Sequence, residues 1–285
     1  MKKFIIQILL FLFVLLVFNG IFKLILNDIY FDDYQQVNLN SQTYLLADSH
    51  GEALGQFSEH AFFNFSAPSD SYVDMKYKLE YLISKSDIKT LILTVDNHAL
   101  SPYRDNSNNI DRSSYFTFRD DYSNFLEYLE QKYFYQIFVM FDSKYGTLLK
   151  KYLISTIVPD GFSQQNIWGE ETDRYRKDAS FKRSEMQFSF NYQSTKLKKE
   201  LVEIIYLCKA NNIKLIGIKF PLSKDYLNVP EMKNYGSDKI FQENGLEIMN
   251  FEEYFINNNF FKDQDHLNKK GAILFKNNLI QILSR

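Results

Sequence analysis

The chain has 285 residues, room for a membrane anchor and one α/β domain of about 200–250 residues. Its 33 Lys and Arg against 35 Asp and Glu leave it near neutral, and no basic run interrupts it, which argues against nucleic acid as a partner. The single cysteine, Cys208, excludes an internal disulfide and any Cys-based zinc site; it falls on an apolar helix face, where a buried thiol is expected.

Met1-Lys2-Lys3 precedes an apolar run from Phe4 to Leu26, interrupted only by Gln7, Asn19, Gly20 and Lys23. About 23 residues suffice to cross a bilayer core of roughly 30 Å as a helix, with Lys23 snorkelling to the interface. Residues 1–26 are therefore expected to form a signal-anchor, with the N-terminal lysines on the cytoplasmic side and the rest of the chain exported. A cleaved signal peptide is the competing reading, but Asn19-Gly20-Ile21 is a poor cleavage site. Residues 27–41 read as a membrane-proximal spacer, and 42–285 as the folded domain.

Within that domain strands and helices alternate. Thr43 to Ala47 form a first strand and Ala61-Phe62-Phe63-Asn64-Phe65 a second; Met75, Leu79, Leu82 and Ile83 share one helix face. Thr90 to Val95 is a continuous apolar run, as a buried parallel strand would be. From about 101 to 187 the pattern weakens into an insertion, with one or two helices over 125–140 and a polar, turn-rich stretch from Gly161 to Lys182. Leu197, Leu201, Ile204, Ile205 and Cys208 then mark a helix ended by Asn211-Asn212. Ile213 to Lys219 is the next strand, Gly245 to Phe251 offers another, and a last helix capped by Asn268 turns Ala272, Phe275, Leu279 and Ile282 inward. The pattern predicts an α/β fold, a three-layer doubly wound parallel sheet behind an N-terminal transmembrane helix.

Two blocks carry chemistry. Ala47-Asp48-Ser49-His50 sits at a strand-to-helix junction, where a serine hydroxyl projects at the carboxyl edge of the sheet. Asp263-Gln264-Asp265-His266 lies just before the last helix. A free hydroxyl is almost wholly protonated at neutral pH and needs a base, so Ser49 as nucleophile, His266 as base and Asp263 as orienter make a hydrolytic triad. The plainer reading of Asp48-Ser49 is a helix cap, and of Asp263-Gln264-Asp265 an acidic turn. Asp265 is the rival orienter, disfavoured because neighbouring side chains diverge.

The two blocks, in this order at opposite ends of the domain, resemble the SGNH/GDSL superfamily of serine esterases and acyltransferases over roughly residues 40–285. The resemblance implies an oxyanion hole built from the nucleophile's N–H, a glycine N–H and an asparagine side chain. This sequence departs at both of the last two places. Ser69 is the positional match for the glycine, and Val95-Asp96-Asn97-His98 stands where the superfamily has Gly-x-Asn-Asp, so Asn97 or His98 is the candidate side-chain donor. His98 has an equally good structural reading as a hydrogen-bonding residue at a strand end. His50 could touch substrate or cap the helix, and His60 reads as surface.

No metal and no organic cofactor is implied; Asp105 to Asp111 resembles a calcium loop but lacks glycine at its sixth position and glutamate at its twelfth. The resemblance suggests an ester hydrolase or O-acyltransferase acting on acetyl esters of a cell-envelope or exported polysaccharide, with an envelope modification complex as a partner. Aromatics at 17%, with 20 Tyr, suit sugar stacking. The altered oxyanion region motivates the alternative, a catalytically weak surface protein that binds glycan or assists export. A lipid esterase is a third reading, since the anchor holds the domain near the membrane.

Overall fold

The computed structural model describes residues 2–55, 62–133, 139, 142–157, 167–230 and 232–284. The chain divides into two compact units, one of residues 1–36 and 111–163, the other of 37–110 and 164–285. The expected insertion is thus split, its middle grouping with the first helix and its two ends with the sheet. In chain order the main elements are α1 (Lys2–Leu26), β1 (Thr43–Leu46), α2 (Ser49–Glu52), β2 (Phe63–Asn64), α3 (Tyr72–Lys85) and β3 (Thr90–Thr94). There follow α4 (Phe125–Lys132), α5 (Ser143–Ile157), α6 (Asp173–Phe188), α7 (Thr195–Ala210), β4 (Lys214–Lys219), α8 (Ser237–Glu243), β5 (Glu247–Asn250) and α9 (Lys269–Leu283).

In the first unit, α1 does not stop at the spacer. It runs on through a π-helical turn, Asn27–Phe31, and a short helix, Asp32–Gln35. Lys2–Gln35 is long and apolar enough to cross a membrane, and most of its apolar side chains are exposed. Its far end packs Leu26 and Phe31 with Val139, Tyr145 and Leu149. The Arg112 guanidinium stacks over both Tyr30 and Tyr34, 4.3 Å from each ring centre.

The second unit is built on a five-stranded, all-parallel sheet in the order β2-β1-β3-β4-β5. Leu45, Ile92, Ile216 and Ile218 point to one face, where Phe275 and Leu279 of α9 join the same cluster. Alternate residues such as Tyr44, Leu91 and Leu93 point to the other. The connections through α3, α7 and α8 all advance across the sheet in one direction, so right-handed crossovers put those helices on that second face. Gly217 lets α8 approach closely: a Cβ there would lie 3.0 Å from the Phe241 ring and 3.1 Å from Val95. Burial on both faces explains why the central strands read as unbroken apolar runs. Each fully buried Leu or Phe contributes about 1.5–3 kcal/mol over its exposed state.

The strands fall close to where the apolar runs predict them. β2 is short, and Ala61 lies outside the described residues, as do His60, most of 133–140 and the segment 158–166. Ile282 is a correction: it is 37% exposed, because in the last turn of α9 it is Ile280 and Leu283 that pack against the core and Ile282 falls off that face. Cys208 is buried on α7, and burial pushes its thiol up to about 12.

Candidate active site

The site gathers at the carboxyl edge of the sheet, where β1, β3 and β4 deliver Asp48, Asp96 and Phe220. After β1 the backbone of Asp48 leaves the extended region, and its Oδ1 accepts from the His50 N–H at 3.0 Å, capping α2. The cap and the candidate nucleophile therefore coexist in adjacent residues. Ser49 opens α2 and is half-buried, with its Oγ 2.8 Å from His266 Nε2. The His266 Nδ1 meets Asp263 Oδ1 at 2.8 Å. That same oxygen accepts the backbone N–H groups of Asp265 and His266 at 3.1 and 2.9 Å, which fixes the carboxylate before the ring arrives.

Residues 261–267 are pinched into a tight turn by an antiparallel bridge between Phe261 and Leu267. Below it the first turn of α9 presses on the chain, since a Cβ at Gly271 would lie 2.1 Å from the Phe260 carbonyl oxygen. This pinch brings Asp265 inward as well. Its Oδ1 is 3.2 Å from His266 Nδ1, so the expected divergence of neighbouring side chains does not hold here. Its Oδ2 accepts from Arg183 Nε at 2.7 Å and Gln187 Nε2 at 3.2 Å, both from α6. His266 thus has two carboxylates on one nitrogen, one partly exposed and one fully buried.

Burial by itself would lower the His266 imidazole. The Asp265 charge and the hydrogen bonds to Asp263 and Asp265 outweigh that and raise it to about 9. Asp265 is buried, but the charge of His266, the contact with His266 Nδ1, the nearby His50 and the Arg183 guanidinium hold it well below the usual carboxylate range.

Behind the three residues lies a buried polar network. His50 Nδ1 bonds Asp96 Oδ2 at 2.7 Å, and its Nε2 faces Asp265 Oδ2 across 3.7 Å, too far for a hydrogen bond. His98 Nε2 lies 3.0 Å from Asp48 Oδ2, and Arg104 comes within 3.5 Å of the same oxygen. Burial alone would raise Asp48; the charge of His50, the bond to His98 and the charge of Arg104 hold it well below its ordinary range. His50, against the pull of burial, is raised well above its ordinary value by Asp48 and Asp96. Burial lowers His98, which leaves a neutral ring donating to Asp48.

The remaining sequence candidates separate. The Asn97 amide nitrogen donates to Glu252 Oε1 at 2.7 Å and its oxygen accepts from Lys219 Nζ at 2.7 Å, so this side chain engages those two residues rather than Ser49. The buried Lys219 at the end of β4 is the reason, since it needs acceptors and takes Asn97 and Asp238. His98 occupies its structural role against Asp48. Ser69 has φ +69°, in the left-handed region that favours glycine. Sequence reasoning passed over Arg104, Arg183 and Gln187, whose separation along the chain leaves no local signal. Asp96 was visible only as a neighbour of His98.

Ser49 and His266 open into a cleft of about 640 Å³, bounded also by Pro68, Leu54 and the first turns of α9. No family model matches this chain, and no curated protein does. Among solved structures, a Bacteroides fragilis protein described as a "putative acylhydrolase" is similar over 90% of this chain and 94% of that one, at 10% identity and a TM-score of 0.41.

Proposed function

We propose that this chain is a membrane-tethered serine ester hydrolase or O-acyltransferase. What carries the reading is the unbroken line Ser49 Oγ, His266 Nε2, His266 Nδ1, Asp263 Oδ1, with 2.8 Å at each hydrogen bond. Ser49 Oγ attacks an acyl carbonyl while its proton passes to His266 Nε2, and Asp263 and Asp265 stabilise the resulting imidazolium. The tetrahedral oxyanion takes the Ser49 N–H, which has no intrahelical acceptor at the first position of α2. The Ser69 N–H, which no described acceptor takes up, is the second donor. The alcohol leaves with the proton from His266. Water as the next nucleophile then gives hydrolysis, and a sugar hydroxyl gives transfer.

The N-terminal lysines support an exported domain, and the tether and aromatic richness support an acetylated envelope or exported polysaccharide as substrate. A fluorescent alkyl fluorophosphonate tests the core of this reading. Wild-type protein in detergent should label covalently and Ser49→Ala should not; an unlabelled wild type would sink it. One observation favours the weaker second reading, a glycan-binding protein of little turnover: Asn97 is tied to Lys219 and Glu252 and supplies no side-chain donor.

The raised imidazole makes a pH prediction. At neutral pH His266 is mostly protonated, and the base form fills as pH rises through about 9. We expect kcat/KM on an acetyl ester to climb by up to about tenfold per pH unit from 7 toward 9. Asp265→Asn removes one of the two carboxylates, so its rising limb should shift to lower pH; identical profiles would show that Asp265 does not set this basicity. The stability sign is the reverse: this group's contribution is complete below its unfolded value and fades as pH rises through about 9.

A further inference from the structure

We infer that the cleft in front of Ser49 takes an acyl ester that itself carries negative charge, a carboxylate or a phosphate close to the ester. The inference rests on the reading of Ser49 and His266 above. Three lysines line this one cleft: Lys262 from the turn that holds the imidazole, and Lys269 and Lys276 from α9. Lys269, Ile273 and Lys276 follow one another at i, i+4 and i+7, so a single stripe of α9 forms the wall, while Phe275 and Leu279 hold the opposite side in the core. Lys262 and Lys269 are exposed and make no ion pair with any described residue. Among the described residues the lining acids are Glu52 and Asp263, and Asp263 is already committed to His266.

The position of Lys269 is a second, independent observation. It is the first residue of α9, directly after the Asn268 cap, and Lys270 follows it. The N-terminal turn of a helix carries partial positive charge, so stability favours Asp or Glu there and disfavours lysine. The first turn of α9 has no acid at all. Two cations at that end work against the helix, and the one facing the cleft adds its charge to the helix field at the place where substrate enters. An anion bound there offsets both. A neutral glycan would gain nothing from this arrangement.

The test uses the full chain in detergent, with Ser49→Ala to prevent turnover. Acetylated oligosaccharides of one length are compared: an oligoglucuronate, a phosphorylated oligosaccharide and a neutral gluco-oligosaccharide. At low salt at least one anionic probe should bind about tenfold or more tightly than the neutral one, and which one it is separates carboxylate from phosphate recognition. The preference should shrink as added salt shortens the screening length toward about 8 Å. It should be lost when Lys262→Gln and Lys269→Gln are combined with Ser49→Ala. Lys269→Glu in the same background guards against a merely structural effect: it should weaken anion binding while leaving the thermal midpoint unchanged or higher. Equal binding of all three probes, or a preference that survives the lysine substitutions, overturns the inference. Phosphonate labelling of the wild type reports separately on the enzyme reading. Labelled protein without anion preference sinks only the charge proposal, and unlabelled protein with the preference sinks only the chemistry.

Discussion

Ser49→Ala and His266→Ala should each lower the turnover of an activated acetyl ester by roughly four to six orders of magnitude. The two losses should not add, because hydroxyl and imidazole act on one proton and either alone is nearly useless. Ser49 is half-buried and its hydroxyl bonds only His266 among the described side chains, so its removal should leave the circular dichroism spectrum unchanged. Asp263→Asn is the more informative companion. It leaves the shape of the turn but no longer holds the ring as a charged acceptor, and a loss of a few orders of magnitude is expected. Asp265 supplies a second carboxylate on the same nitrogen, so the loss should be smaller than for His266→Ala. Undiminished turnover in Ser49→Ala would dispose of the mechanism outright.

The largest expected loss of stability comes from Asp48→Ala. Asp48 caps α2 through the His50 N–H, accepts from His98 and lies beside Arg104, all out of solvent. Removing it takes the carboxylate away from the buried Arg104 guanidinium and leaves the raised His50 with Asp96 as its remaining close partner, and breaking buried pairs in this way costs about 3–5 kcal/mol. For a domain of this size that corresponds to a fall of roughly 6–20 °C in the thermal midpoint of the detergent-solubilised protein. Asp87→Ala is the control. Its contact with Lys89 is 2.5 Å, shorter than any Asp48 makes, yet both side chains are more than half exposed and the expected change is within about 1 kcal/mol. A similar small shift for Asp48 would mean that its neighbours are neutral or hydrated.

The parts of this fold that were readable beforehand are those with local causes. β3 and β4 announce themselves because a strand covered on both faces must be apolar at every position, and α9 because Asn268 caps it and Ala272, Phe275 and Leu279 share a stripe. The juxtaposition of Ser49 and His266 was readable because chemistry demands a base and the sheet edge is where both blocks had to end. What escaped reading depends on long-range packing. The inward turn of Asp265 requires the pinch between Phe261 and Leu267 and a receiving Arg183 on α6, none of which is a neighbour in sequence. The diversion of Asn97 depends on a lysine that β4 buries more than a hundred residues later. The strand-end pattern around Asn97 looks the same whether or not such a lysine is waiting.

The buried Cys208 has a practical reach beyond its place in the core. It is the sole thiol in the chain, and it is sequestered and held protonated at ordinary pH. Maleimide reagents should therefore pass the native protein by, and a cysteine placed at an exposed position such as Lys262 would become the one attachment point for a spin label or dye. The wild-type chain can serve as its own blank background, so distances from the cleft rim to the bilayer can be measured spectroscopically without first engineering a thiol away.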